Sequence, residues 1–156
     1  MPRYFEDIEV GAVQRFGRYE VTREEVLDFA GKYDFQPFHL SDEAAAMTHF
    51  GRLAASGWHS TAMMMAMTVA HMQAEGEMQA ASLGAVGIDE LRWLKPVYPG
   101  DVLSCETEVL ETIPSRSRPE MGIVKTRTTL LNQHGEPVMT LKPILMIRTR
   151  QGAEAE

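Results

Sequence analysis

Residues 53–74 read LAASGWHSTAMMMAMTVAHMQA and contain no Asp, Glu, Lys or Arg. A membrane span needs roughly 20 predominantly apolar residues. Here Ser56, Gly57, His59, Ser60, Thr61, Thr68, His71 and Gln73 interrupt the run, so the stretch reads instead as a helix buried in a protein core. The spacing predicts a helix over residues 57–74, halted before Gly76, which suits a helix stop. Such a helix is apolar on nearly every side and must be covered on most of them.

The flanking sequence supplies the cover. Upstream, VTREEVLDFAGKY (residues 21–33) opens with Thr22 and carries Glu25 three residues on, a capping box in which each side chain satisfies a free N–H of the first turn. Val26, Leu27, Phe29, Ala30 and Tyr33 then form an apolar stripe at helical spacing. A second short helix is predicted from Ser41, with Asp42 and Glu43 in its first turn.

Downstream the pattern changes. DVLSCETEVL (101–110) alternates, with Leu103, Cys105, Thr107 and Val109 on one face and Ser104, Glu106 and Glu108 on the other, the mark of a half-buried strand. GIVKTRTTLL (122–131) and PVMTLKPILMIRTR (137–150) are rich in β-branched residues, and NQHGEP joins them as a hairpin. Pro143 suggests a bulge or an edge position in the last strand. ASLGAVGIDELRWLKPV (81–97) reads as a further strand, and YPGD (98–101) as a turn. Helices come first and about four long strands follow. The fold class is α+β, a curved antiparallel sheet wrapped around the long helix.

The chain of 156 residues fits one domain, residues 1–150, with QGAEAE (151–156) as a frayed, disordered tail. Its net charge of −7 argues against a nucleic-acid partner, which calls for a basic patch or stripe. Cys105 is the only cysteine, so no intrachain disulfide forms and a reducing, cytoplasmic setting is the simplest expectation. MPRYFEDIEVG resembles neither a secretory signal nor a transit peptide.

KYDFQPFHLSDEAA (32–45) carries an acid and an imidazole, Asp34 and His39, on either side of Pro37. Pro37 disfavours helix in the residue before it, so the segment is expected to be non-helical. A turn would bring the two side chains onto one side, among Tyr33, Phe35 and Phe38, where they could hold one water and exchange protons with it. Partial burial is expected to raise the carboxylate pKa and lower that of the imidazole. A capping aspartate and an ordinary loop histidine explain the same spacing. Further on, Ser56 and Gly57 open the long helix, whose first N–H groups lack partners and can bind an anion. Gly57 permits close approach of a ligand to the backbone, and Ser56 reads as an N-cap.

YDFQPFHLSDEAA, FGRLAASGW and LRWLKPVYPGDVL together resemble the MaoC-like dehydratases, the group that includes the (R)-specific enoyl-CoA hydratases. The resemblance spans residues 4–150. It implies a hot-dog fold, a homodimer or larger homo-oligomer, and reversible addition of water to a trans-2-enoyl-CoA to give an (R)-3-hydroxyacyl-CoA. By this resemblance Asp34 and His39 fall on the catalytic pair and Gly57 on the oxyanion-hole glycine, with Ser56 and Gln36 beside the substrate. The sequence departs from the family pattern at Gln36 (usually Asn), Phe38 (usually aliphatic) and Ser56 (His in some relatives).

Arg92, Lys95, Arg116 and Arg118 are candidate partners for the phosphates of coenzyme A. No cofactor is expected beyond coenzyme A as part of the substrate. His59 and His71 lie far apart on the helix without further ligands, so no metal is expected. The helix methionines read as adaptable packing or as a pliable wall for an acyl chain, and Cys105 as a small core residue. Two other functions fit such a fold. One is a thioesterase, against which the long helix counts by carrying no carboxylate before Glu75. The other is an acyl-CoA or lipid-binding module without turnover.

Overall fold

The computed structural model describes residues 3–76 and 81–155. A single 3-10 turn (Phe5–Asp7) leads into strand β1 (Val13–Glu20) and helix α1 (Arg23–Tyr33), followed by a second 3-10 turn (Pro37–His39), α2 (Asp42–Ala46) and the long α3 (Gly57–Glu75). Four strands follow, β2 (Ser82–Trp93), β3 (Val102–Pro114), β4 (Met121–Leu131) and β5 (Pro137–Arg148), and then α4 (Arg150–Glu154). The strands form one antiparallel sheet in the order β1-β3-β4-β5-β2. This is the hot-dog fold, with α3 laid across the sheet and contacting β1 and β3.

The core lies between α3 and the sheet. Met63, Met64 and Met67 meet Leu103, Cys105, Leu130, Met139 and Leu141 there, with Val21, Val26 and Leu53 closing the side under α1. Each fully buried side chain of this size stabilises the fold by about 1.5–3 kcal/mol. Met65 is the exception among the helix methionines and is half exposed. Cys105 is packed in this core, and burial pushes its thiol pKa up to about 12. Among the described residues no helix is long and apolar enough to cross a membrane.

Several local expectations hold. Ser41 caps α2 through its hydroxyl, which accepts from the Ala44 N–H at 3.1 Å. Gly76 ends α3 with φ of 76°, and Gly135 turns the β4–β5 hairpin with φ of 73°. Others are corrected. A strand, β1, precedes the first helix. It crosses α3 so closely that a Cβ on Gly17 would stand 2.6 Å from the Met67 sulfur. The pairing with β3 shifts register there, between Phe16 and Tyr19.

The capping box of α1 is one-sided. Thr22 accepts from the Glu25 N–H at 3.2 Å, but the Glu25 carboxylate accepts instead from the Tyr19 hydroxyl at 2.7 Å. Pro143 is not on an edge. It sits inside the sheet opposite Ile88, where β2 departs repeatedly from regular register with β5. The expected tail is a helical turn as far as Glu154. Thr149 caps α4 by accepting from the Gly152 N–H at 3.0 Å, and Gly152 packs directly on the Glu120 backbone. Finally, residues 37–39 form a 3-10 turn rather than a wholly non-helical segment, because the fixed φ of Pro37 suits the first position of such a turn.

Candidate active site

Asp34 is the C-cap residue of α1 and is held there by its N–H, which donates to the Ala30 carbonyl at 3.0 Å. The turn at Pro37 then swings His39 back towards it. His39 Oriented this way places Nε2 at 3.5 Å from Asp34 Oδ2. Its Nδ1 lies 2.7 Å from the Ala54 carbonyl oxygen. A carbonyl only accepts, so Nδ1 carries the proton and, in the neutral ring, Nε2 presents its lone pair to the side of Asp34. The imidazole is buried and is wrapped by Phe38, edge-on at 4.6 Å, and by Phe50 at 5.6 Å. Tyr33 and Phe35 do not enclose the pair, being 72% and 71% exposed.

Both oxygens of Asp34 accept hydrogen bonds. Gln36 Nε2 donates to Oδ1 at 2.7 Å, and Ser56 Oγ donates to Oδ2 at 2.7 Å. Burial pushes the Asp34 carboxyl pKa up, but these two bonds and the neighbouring His39 outweigh it, and the net value lies below the usual carboxylate range. The expected rise is thus reversed, since a carboxylate receiving donors on both oxygens is favoured in its charged form. Ser56 makes no capping bond to α3. Its hydroxyl, like the Gln36 amide, is spent on Asp34.

Gly57 opens α3, so its N–H has no carbonyl of the helix to bond. A Cβ at this position would come within 2.5 Å of the Trp93 indole. Only glycine lets that ring lie flat against the helix start. Asp34, His39, Gly57, Trp58, Trp93 and Lys95 line one cleft of about 440 Å³. Behind it, between α3 and the sheet, is an apolar cavity of about 500 Å³, walled by Met64, Met65 and Thr68 on one side and by Val124, Leu141 and Leu145 on the other.

The chain matches the MaoC like domain over residues 7–131. It belongs to the MaoC-like dehydratase family. A 3-hydroxybutyryl-CoA dehydratase of Methylorubrum extorquens is 31% identical over 76% of this chain and 71% of its own. Among solved structures, a MaoC-like dehydratase from Rhodospirillum rubrum is 38% identical with a TM-score of 0.84, covering 95% of this chain and 98% of that one. The (R)-hydratase from A. caviae is 25% identical with a TM-score of 0.68, covering 90% of this chain and 97% of that one.

The four cations proposed for coenzyme A separate within this MaoC-like domain. Lys95 lines the cleft and is paired with Glu136. Arg92 is exposed on the same strand end and donates to the Leu91 carbonyl at 3.0 Å. Arg116 and Arg118 lie on the β3–β4 connection, at the opposite end of β4 from the hairpin next to the cleft, and Arg118 pairs with Glu120 at 3.0 Å. His59 and His71 are apart, each stacked on a phenylalanine: His59 on Phe29 at 4.6 Å and His71 on Phe16 at 4.3 Å.

Sequence reasoning misses Trp58, Trp93 and Phe50 as site residues. No local pattern distinguishes a cleft aromatic from a core one. Phe50 is held in place from a distant turn, where the Tyr98 hydroxyl donates to its carbonyl at 2.6 Å.

Proposed function

We propose that this protein is an enoyl-CoA hydratase, adding water reversibly to a trans-2-enoyl-CoA to give an (R)-3-hydroxyacyl-CoA. The observation that carries the reading is the 3.5 Å approach of Asp34 and His39 in one cleft with the unbonded N–H of Gly57. In the reaction the thioester oxygen accepts from that N–H. A water set against the pair gives a proton to His39 Nε2 as its oxygen bonds to C3 of the substrate. The C2–C3 π electrons move towards the thioester oxygen, where the N–H stabilises the enolate. The imidazolium, flanked by the Ala54 carbonyl and the ionised Asp34, then returns its proton to C2. Asp34 orients the water and balances the transient charge, and His39 serves as base and then acid.

Lys95 is the candidate for the coenzyme A phosphates by its place at the cleft. The (R) configuration rests on likeness to the A. caviae hydratase. A homodimer is part of the proposal: β2 is the outer strand of the sheet, and Val86 and Ile88 on it are 59% and 47% exposed. Pairing of two copies along this edge would cover them.

The test is incubation of the pure protein with crotonyl-CoA, following loss of the conjugated double bond and release of free thiol separately. Bond loss without thiol, with (R)-3-hydroxybutyryl-CoA as product, is the expected result. Thiol release would point to a thioesterase, and neither signal, across short and long enoyl-CoAs, to a binding module.

A further inference from the structure

The catalytic cleft and the apolar cavity behind it share one lining residue, Trp58. It follows Gly57 on the first turn of α3, so it stands next to the proposed thioester site. Its indole meets Trp93 edge-on, with ring centroids 5.1 Å apart and planes at 78°. The two rings differ in how they are held. Trp93 lies against Gly57, and its Nε1 donates at 3.3 Å to the Thr61 hydroxyl, which itself donates to the Gly57 carbonyl at 2.9 Å. Trp58 leans on Trp93 with 58% of its surface exposed. Trp93 is tethered through its indole N–H, whereas among the described residues the Trp58 indole makes no hydrogen bond.

We propose that Trp58 is a gate between the cleft and the apolar cavity, and that it makes this protein selective for short-chain enoyl-CoAs. This rests on the hydratase reading of the cleft. With the thioester oxygen on the Gly57 N–H, the acyl chain beyond C3 runs towards the neighbouring side chain. A single methyl group, as in crotonyl-CoA, ends before the indole pair. A longer chain must displace Trp58 to reach the apolar cavity or else remain in water, and either choice forgoes the binding that burial of its methylenes would give. The space and lining that a longer chain needs are present, and Trp58 stands between them and the cleft.

The experiment compares crotonyl-CoA with trans-2-octenoyl-CoA on the wild-type protein, Trp58→Ala and Trp58→Phe. The wild type is expected to favour crotonyl-CoA at least about tenfold in kcat/KM, the size of discrimination a few methylenes supply. Trp58→Ala is expected to raise the octenoyl-to-crotonyl ratio about tenfold or more, with Trp58→Phe in between. Equal use of both substrates by the wild type, or an unchanged ratio in both variants, would overturn the gate. Binding of the saturated butyryl-CoA and octanoyl-CoA, which cannot be hydrated, is read in parallel. A gain in octanoyl-CoA affinity confined to the variants supports the gate even if no enoyl-CoA is turned over, a result that would sink only the hydratase reading. No gain in either measurement overturns the gate alone.

Discussion

The hydroxyl of Ser56 donates at 2.7 Å to Oδ2 of Asp34, the oxygen that stands 3.5 Å from His39 Nε2. A serine at the mouth of a helix thus serves the carboxylate rather than the helix. Together with Gln36 it keeps Asp34 charged in a partly buried place, where a lone carboxylate would tend to take up a proton.

Ser56→Ala should therefore act on Asp34 as an acid. Its carboxyl pKa, held below the usual range in the intact site, rises when one donor is lost. Protonated Asp34 then accumulates at a higher pH, so the acidic limb of the kcat/KM profile moves to higher pH. A bond to a charged group contributes about 1.5–3 kcal/mol, which moves that limb by about one to two pH units and concentrates the loss of activity at acidic pH, with Asp34 still largely ionised near neutrality. A rate loss with an unmoved acidic limb would mean that Ser56 only supports local packing.

Asp34→Asn and His39→Gln each remove one member of the pair. Each should lower crotonyl-CoA hydration by about 100-fold or more, the scale of acid–base catalysis. In the proposed mechanism Asp34 acts through the water and the imidazole, so the double variant should be little worse than His39→Gln alone. Full additivity of the two losses would show independent roles.

Much of this molecule is legible in its sequence, for physical reasons that vary from place to place. The long helix is legible because a run without charge over residues 53–74, closed by Gly76, has few other ways to satisfy its backbone away from water. Strand β3 is legible because its alternation is regular, and β4 and β5 because they are rich in β-branched residues on either side of a hairpin turn. Strand β1 is not: its bulge beside Gly17 breaks the alternation, and the close approach to Met67 that explains the glycine exists only in the fold. In the site, Asp34 and His39 are legible as a pair through the intervening proline. Ser56 is misread because a serine before a helix has two equally good uses for its hydroxyl, and only the position of Asp34 decides between them. Tyr33 and Phe35 are misread as walls because they adjoin Asp34 in sequence, yet both project into solvent. Phe38 does pack on the imidazole, and the further walls, Phe50 and Trp93, come from other segments.

Gly57→Ala tests the proposed seat of the thioester oxygen. The added methyl would stand 2.5 Å from the Trp93 indole, so the ring must leave its place against the helix start. Alanine is the better helix former by about 1 kcal/mol, which offsets part of the overpacking cost of about 1–3 kcal/mol. The fold should persist with a small shift in Tm. The N–H is kept but its surroundings are crowded, so activity should fall about 100-fold, the scale of a misplacement of about 1 Å. Circular dichroism and kcat/KM measured on one preparation separate the two effects, and retained activity would show that the site does not need a bare glycine at this position.

His59 supplies a different pH dependence, one of stability. It is buried, lies flat on Phe29 and has no hydrogen-bond partner at Nδ1. Burial pushes its pKa below the ordinary value of 6.5, against the opposing pull of Glu25 and Asp28. The unfolded chain therefore takes up this proton first as pH falls. The neutral ring's contribution is fully present above pH 6.5 and is lost progressively as pH drops towards the folded-state pKa, by at most about 1.4 kcal/mol per pH unit. His59→Phe keeps the stacking on Phe29 and removes the titration. Urea midpoints at pH 7.5 and pH 5.5 should show the variant gaining on the wild type at the lower pH, against a common background from the paired carboxylates. An equal difference at both pH values would show that His59 does not titrate differently in the folded and unfolded chains.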